Sequence, residues 1–376
     1  MQSMSSLVEF VLLVLVAFLC LIATRVSSES QLEPQVPGLF IFGDSLVDNG
    51  NNNDVPTVAR ANFPPYGIDF PQGSTGRFTN GRTYADILAQ LLGFPDYIPP
   101  YSQIRGLAIL TGANYASGAA GIRDESGTRL GANMPMSVQL ANFARTVQEI
   151  HWRYFRRDYT RLMGYLSKCI IFSGLGSNDY LNNYFMPNTY SSSSVYTPRG
   201  YAASLLQDYS AQLTELYKLG ARKIIVTAVP QIGCIPYELA RYNGNGSNTC
   251  NEEYNNAIDF FNTGLRKLVD RFNSGHELPG SKFVFLDLFQ ATKDLILYAA
   301  SYGFEVVDKG CCGVGKNNGL ITCLPLQLPC NDRTKYLFWD SFHPTEVANF
   351  VIANKSFFSE SPSYAYPINI HQLAML

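Results

Sequence analysis

The chain has 376 residues, of which 46% are hydrophobic and 15% are charged, and its formal net charge is −2. This balance is that of an ordinary globular protein and excludes disorder as the dominant state. The sequence contains no block of Lys and Arg residues, so it lacks the electrostatic footprint of a nucleic-acid-binding protein.

The first predicted element is an export signal. Phe10 to Ile22 is a run of 13 apolar residues, which is short for a bilayer span and has the length of a signal-peptide core. Val26 and Ser28 fit the small-residue positions of a cleavage site, although no Lys or Arg precedes the run. We therefore expect a signal peptide over residues 1–28, a single mature domain over residues 29–376 and an extracellular location. An uncleaved membrane anchor is the alternative.

The rest of the sequence alternates between short apolar strands and helices. The predicted strands are Leu39–Phe42, Lys168–Phe172, Lys223–Val229 and Lys282–Phe289. The predicted helices are Thr83–Leu92, Tyr201–Leu219, Asn251–Phe272, Gln290–Tyr302 and a last segment from about Pro344 to Phe358. This alternation favours an α/β fold with a largely parallel sheet covered by helices on both faces. Functional sites in such sheets lie beyond the carboxyl ends of the strands.

A candidate nucleophile follows the first strand. Ser45 ends the segment Gly43-Asp44-Ser45, and Gly43 permits a tight turn that presents the serine hydroxyl and N–H outward. A serine needs a base to become nucleophilic, and the oxyanion formed on ester cleavage needs preorganised donors. Taken separately, Gly-Asp-Ser after a strand is a common turn, and the following stretch Asp48–Asn53 reads as a polar loop.

The candidate base and its partner lie near the C-terminus. Asp340 precedes His343 by three residues, a spacing that allows the carboxylate to hold the imidazole tautomer while the other ring nitrogen faces a serine. Pro344 and Thr345 indicate that a helix begins there, so a hydrogen bond at a helix start is the alternative interpretation.

Two further segments offer donors for an oxyanion. Gly118 lies in a small, Gly-rich segment where its backbone N–H can approach a ligand closely, and Asn178 follows the second predicted strand. The alternatives are a packed strand–helix turn at Gly118 and an Asx turn at Asn178.

Together and in this order, the four segments resemble the GDSL family of SGNH hydrolases, in particular its plant-type members. The resemblance extends from Leu39 to about Phe358 and includes Pro230–Pro236 and the segment Cys311-Cys312-Gly313. It implies a flavodoxin-like three-layer α/β/α sandwich with a mainly parallel central sheet. The absence of Gly-x-Ser-x-Gly from the sequence argues against the α/β-hydrolase fold.

The resemblance also implies the role of each site residue. Ser45 is the nucleophile, His343 the base and Asp340 the group that orients it. The oxyanion donors are the backbone N–H groups of Ser45 and Gly118 and the side chain of Asn178.

The implied function is a secreted ester hydrolase of the cell wall or apoplast that uses neither a metal nor an organic cofactor. Its partner would be a small-molecule or lipid ester: an acyl lipid, a cutin-type polyester, an acetylated polysaccharide or a phenolic ester. An acyltransferase with the same acyl-enzyme and a non-catalytic binding protein that retains the fold are the alternatives.

Cysteines and sequons agree with export. Cys169 lies in an apolar run and is expected to be a buried free thiol. The candidates for disulfides are Cys234, Cys250, Cys311, Cys312, Cys323 and Cys330. Short loops favour a Cys234–Cys250 bridge and two bridges from Cys311 and Cys312 to Cys323 and Cys330, among the 15 pairings that six cysteines allow. Asn245 and Asn354 are candidate N-glycosylation sites.

Overall fold

The computed structural model describes Val14, residues 33–242 and residues 249–376. The predicted signal peptide, apart from Val14, and the sequon at Asn245 lie outside these residues. Gln35–Leu376 form one compact unit, which contains the sheet, the helices and the site. In the part of the chain that the structure describes, no helix combines the length and hydropathy that crossing a bilayer requires.

The strands are short and mostly parallel. They are β1 Leu39–Gly43, β2 Gly112–Asn114, β3 Ile170–Gly174, β4 Lys223–Thr227, β5 Lys282–Leu286, β6 Val306–Gly310, β7 Tyr336–Phe338 and β8 Ala365–Tyr366. The central sheet has the order β2-β1-β3-β4-β5-β8, in which β8 alone runs antiparallel to its neighbour. Strands β6 and β7 form a separate parallel pair.

The helices lie between the strands in the chain, except for the last helix, which follows β8. They are α1 Tyr84–Leu91, α2 Met136–Glu149, α3 Tyr159–Leu166, α4 Ser177–Asp179, α5 Ser192–Val195, α6 Pro198–Lys218, α7 Pro236–Arg241, α8 Glu252–Asn273, α9 Leu288–Leu297, α10 Glu346–Phe358 and α11 Ile370–Met375.

Two hydrophobic cores cover the two faces of the sheet. Because successive side chains of a strand point to opposite faces, Phe40 and Phe42 of β1 enter one core and Leu39 and Ile41 enter the other. The first core contains residues of α2, α6 and α8, and the second contains residues of α1, α9, α10 and α11. This arrangement confirms the predicted three-layer α/β/α sandwich.

The predicted strands are confirmed, although two of them end earlier than expected. Strand β4 stops at Thr227 and β5 stops at Leu286. After β5 the carboxylate of Asp287 accepts the backbone N–H of Gln290 and caps α9, so the apolar residues that follow belong to a helix.

The six candidate cysteines form three disulfides. They are Cys234–Cys250, Cys311–Cys330 and Cys312–Cys323, while Cys169 is buried with a free thiol. Both the expected pairing and the expected free cysteine are therefore confirmed.

The second sequon lies within α10. The Asn354 amide donates to the carbonyl of Phe350, and Ser356, the third residue of the sequon, is buried. Glycosylation of Asn354 stays a prediction.

Candidate active site

The turn after β1 positions Ser45. A Cβ on Gly43 would lie 2.4 Å from a methyl group of Val47, so the close approach of the chain requires glycine at this position. The Asp44 carboxylate accepts the Leu46 N–H at 3.0 Å, and the Asp44 carbonyl accepts the N–H of Asp48 at 2.9 Å. These bonds hold a tight turn in which Ser45 remains partly exposed.

A glutamine from α2 braces the same turn. The Gln139 side chain accepts the Gly43 N–H at 3.0 Å and donates to the Gly43 carbonyl at 2.8 Å. Gln139 is fully buried, so both bonds are protected from water and fix the end of β1. Sequence reasoning missed this residue because no helix was predicted over Met136–Glu149.

The structure brings Ser45, His343 and Asp340 into one hydrogen-bonded chain. The Nε2 atom of His343 lies 2.8 Å from Ser45 Oγ, and its Nδ1 atom lies 2.8 Å and 2.9 Å from the two carboxylate oxygens of Asp340. With Nδ1 facing a carboxylate, the hydrogen-bond network assigns the proton to Nδ1 and leaves Nε2 as the acceptor for the serine hydroxyl.

Asp340 is fully buried and surrounded by donors. Its oxygens accept the N–H groups of Phe342 and His343 and the Tyr66 hydroxyl, the last at 2.7 Å. Burial would raise the pKa of Asp340, but His343 and these hydrogen bonds outweigh it and hold the pKa below its usual value. The carboxylate therefore stays ionised beside the imidazole.

The disulfide-bonded segment supports the turn that carries Asp340 and His343. The backbone N–H groups of Cys311 and Cys312 donate to the carbonyls of Phe338 and Trp339. Thr345 then caps α10 by accepting the Ala348 N–H, as expected for a helix that begins there. Both ends of the turn are thus fixed.

Asn178 lies on α4, close to the turn that carries Ser45. Its amide nitrogen donates to the Ala120 carbonyl at 3.0 Å and to the Asp44 carboxylate at 3.4 Å, while its amide oxygen accepts from Asn182 at 2.7 Å. The side chain also lines the cleft that contains Ser45. Its N–H₂ group is therefore at the site, with both hydrogens engaged in this state.

The backbone N–H of Gly118 donates to a side chain within the protein rather than into the cleft. Its N–H donates to the Asp48 carboxylate at 2.9 Å, and it is the next residue, Ala119, that lines the cleft with a left-handed backbone at φ 67°. The structure therefore places Gly118 near the site without directing its N–H at the cleft.

The sequence predicts a polar loop over Asp48–Asn53, but several polar side chains of this stretch are buried. Asp48, Asn51 and Asn52 are each at most 3% exposed. Asn51 donates to the Asn114 and Ala116 carbonyls. Asn52 donates to the Gly118 carbonyl and accepts the Ser117 hydroxyl. These side chains connect the turn that carries Ser45 to the segment after β2.

Three buried carboxylates in these segments have raised pKa values. Burial raises the pKa of Asp44 to about 7 and the pKa values of Asp48 and Asp179 to about 6 each. Backbone N–H bonds oppose the effect at all three. Within residues 33–242 and 249–376, no three His, Cys, Asp or Glu side chains converge to hold a metal ion.

The cleft over Ser45 and His343 has a volume of about 420 Å³ and opens to solvent. Its wall is largely apolar beside the reactive groups. The apolar lining residues include Leu46, Val58, Leu181, Ile232, Ile235 and Phe342. A small organic ester fits a cleft of this size and character.

The sequence is similar to known proteins over most of its length. The sequence matches the family model described as GDSL-like lipase/acylhydrolase over residues 39–356. A GDSL esterase/lipase of Arabidopsis thaliana is 61% identical over 372 residues, which cover 98% of this chain and 100% of the relative. Another from Arabidopsis thaliana is 50% identical over 362 residues, covering 96% of this chain and 99% of the relative. Among solved structures, phospholipase A1 from Streptomyces albidoflavus covers 84% of this chain and 94% of its own, with a TM-score of 0.32 and 14% identity.

Proposed function

This chain belongs to the GDSL-like lipase/acylhydrolase family and is a carboxylic ester hydrolase, and from that premise we propose that it cleaves esters through a covalent acyl-enzyme on Ser45. The observation that carries the proposal is the unbroken chain of hydrogen bonds from Ser45 through His343 to Asp340.

In the first half-reaction, Ser45 Oγ attacks the ester carbonyl carbon while His343 Nε2 takes the serine proton. Asp340 stabilises the imidazolium that forms and remains ionised. The bond between the carbonyl carbon and the alcohol oxygen then breaks, and His343 gives its proton to the departing alcohol. Water attacks the acyl-enzyme by the same route and releases the acid.

Three donors stabilise the oxyanion: the Ser45 N–H, the Gly118 N–H and the Asn178 amide. The Asn178 bond to Asp44 is long at 3.4 Å, so the amide gives it up at little cost. The Gly118 N–H must leave a carboxylate at 2.9 Å, and such charge-assisted bonds are stronger. Asn178 is therefore expected to contribute more than Gly118.

Export is part of the proposal. Three disulfides in the described residues fit an oxidising compartment. A signal peptide over residues 1–28 would leave a mature domain over residues 29–376. Sequencing the secreted protein from its amino end should begin at Glu29, and a start at Met1 would contradict cleavage.

The test of the mechanism is Ser45→Ala. We expect this variant to lose turnover of p-nitrophenyl acetate and labelling by a fluorophosphonate probe, because no other group replaces the nucleophile. Circular dichroism should show an unchanged fold. Ser341→Ala is the matched control, since Ser341 lies between Asp340 and His343 yet is buried. Wild-type turnover by Ser45→Ala would assign the nucleophile elsewhere.

A further inference from the structure

A second, smaller cavity lies beside the cleft, between the carboxyl ends of the parallel strands and helices α1, α9 and α10. Its volume is about 80 Å³. The surrounding side chains are mainly apolar and include Val47, Phe172, Val229, Leu288, Ile296 and Ile352.

This cavity adjoins the cleft close to the reactive groups. Six residues line both the cavity and the cleft: Asp44, Leu46, Ser177, Pro230, Ile235 and Phe342. Leu46 directly follows Ser45, and Phe342 directly precedes His343. A substrate carbonyl at Ser45 would therefore lie next to both the cleft and the smaller cavity.

The wall of the cavity suits an apolar guest. Protein interiors are close-packed, so a void of several water volumes is unusual, and apolar voids stay dry and accept apolar ligands. Two of the polar side chains on the wall are bonded within the protein. The Asn349 amide donates to the Arg82 carbonyl, and the Thr292 hydroxyl donates to the Leu288 carbonyl. Tyr84 also lines the cavity and its buried hydroxyl has no hydrogen-bond partner, but the wall as a whole is mainly apolar and holds water weakly.

We propose that this cavity binds the acyl chain of the substrate and selects esters of medium-chain aliphatic acids. The inference rests on the proposed role of Ser45. A water-sized group needs about 10–15 Å³ of such space, so a cavity of about 80 Å³ holds a chain of about five to eight groups. Acids of about six to eight carbons fill it, and the alcohol remains in the open cleft.

The experiment is a chain-length series of p-nitrophenyl esters from acetate to decanoate, assayed below the concentrations at which the esters aggregate. Each methylene that leaves water for an apolar site favours binding by about fourfold. For wild type, kcat/KM should therefore rise steeply up to hexanoate or octanoate and then level or fall.

Two neighbouring residues on α9 provide a matched pair of variants. Ile296 is partly buried and lines both the cavity and a neighbouring surface groove, whereas Leu297 is 62% exposed and lines the groove but not the cavity. Ile296→Trp should shorten the cavity, reduce kcat/KM for octanoate at least tenfold and leave acetate within about twofold. Leu297→Trp adds the same side chain one position away and should behave as wild type.

The outcomes separate the two proposals. Ser45-dependent turnover of acetate with no rise toward octanoate would overturn the acyl-chain site and leave the hydrolase mechanism standing. The same conclusion follows if Ile296→Trp and wild type share one chain-length profile. Absence of Ser45-dependent turnover with every ester would overturn both proposals.

Discussion

The two sides of the proposed catalytic site differ in how far they are prepared for the reaction. The acid–base side consists of Ser45, His343 and Asp340, and the oxyanion side consists of Asn178 and Gly118. On the acid–base side, His343 already contacts Ser45 and Asp340 at 2.8 Å, and Asp340 is ionised and fully bonded. On the oxyanion side, Asn178 and Gly118 donate to Ala120, Asp44 and Asp48. In the proposed mechanism, the acid–base side can act in the conformation observed, whereas the oxyanion side must exchange hydrogen bonds.

This difference has an energetic reason. The donors of an oxyanion hole are buried whether or not substrate is present, and a buried donor without a partner costs free energy. In the resting protein, carbonyl and carboxylate oxygens serve as partners. The developing oxyanion then gains only the difference between its own bonds and those that it replaces, so the donor with the weakest resting bond contributes most.

Among the variants that compare the two sides, Asp340→Asn is expected to have the largest effect. The amide would donate to Nδ1 of His343, set the wrong tautomer and leave Nε2 protonated toward Ser45. By analogy with other triads, kcat should fall by up to about 10⁴-fold, measured by steady-state kinetics on p-nitrophenyl acetate. Asp332→Asn removes an exposed capping carboxylate and should leave kcat unchanged. A mild loss in Asp340→Asn would mean that another group orients the imidazole and that this side is less prepared than its geometry indicates.

Asn178→Ala tests the oxyanion side. Loss of one oxyanion donor should lower kcat by about 10²–10³-fold with little change in KM, because the donor acts on charge that exists only in the transition state. Asn182→Ala removes the residue that holds the Asn178 amide oxygen and should cost much less. Equal losses in the two variants would indicate that Asn178 matters for local structure rather than for the oxyanion.

Tyr66→Phe sharpens the description of the acid–base side. The variant removes the hydroxyl that donates to Asp340 at 2.7 Å and keeps the ring in place. A hydrogen bond to a charged group contributes about 1.5–3 kcal/mol, so kcat should fall by about 10- to 150-fold. Tyr115→Phe removes another buried hydroxyl, bonded to Thr146 away from the triad, and should leave kcat unchanged. A wild-type kcat in Tyr66→Phe would show that the other donors to Asp340 suffice.

Sequence reasoning succeeded where a feature is local in the chain. The apolar run at β1 and the turn at Ser45 are encoded within a few residues, as are the spacing of Asp340 and His343 and the start of α10. Buried parallel strands are also recognisable because both of their faces must be apolar.

It failed where a feature depends on distant contacts. Strand β2 is three small residues, Gly112–Asn114, that become a strand only by pairing with β1. Tyr66 reaches Asp340 across 274 positions in the chain. The partner of the Gly118 N–H is Asp48, 70 positions earlier. No pattern within a few neighbouring residues predicts such partners.

Among these variants, Asp44→Asn is expected to change turnover least. Its main effect is on the pH dependence of the free energy of unfolding. Burial raises the pKa of Asp44 from 3.8 to about 7, so the folded state binds this proton more tightly than the unfolded state does. The stability due to the protonated carboxyl is present below about pH 4 and is lost as pH rises toward 7. Asn resembles the protonated form, keeps the oxygen that accepts the Leu46 N–H and does not ionise.

Between pH 4 and pH 7, the free energy of unfolding of Asp44→Asn should therefore increase relative to that of wild type. The increase should be on the order of 4 kcal/mol at most, and the difference between the two proteins should be constant above pH 7. Urea titrations of both proteins at several pH values measure it. Glu277→Gln, which neutralises an exposed carboxylate paired with Arg271, should show no comparable trend. A constant difference between Asp44→Asn and wild type across this range would mean that Asp44 is ionised throughout. The Asn178 amide would then donate to a charged carboxylate. To reach an oxyanion, it would have to break a stronger hydrogen bond than the 3.4 Å distance suggests.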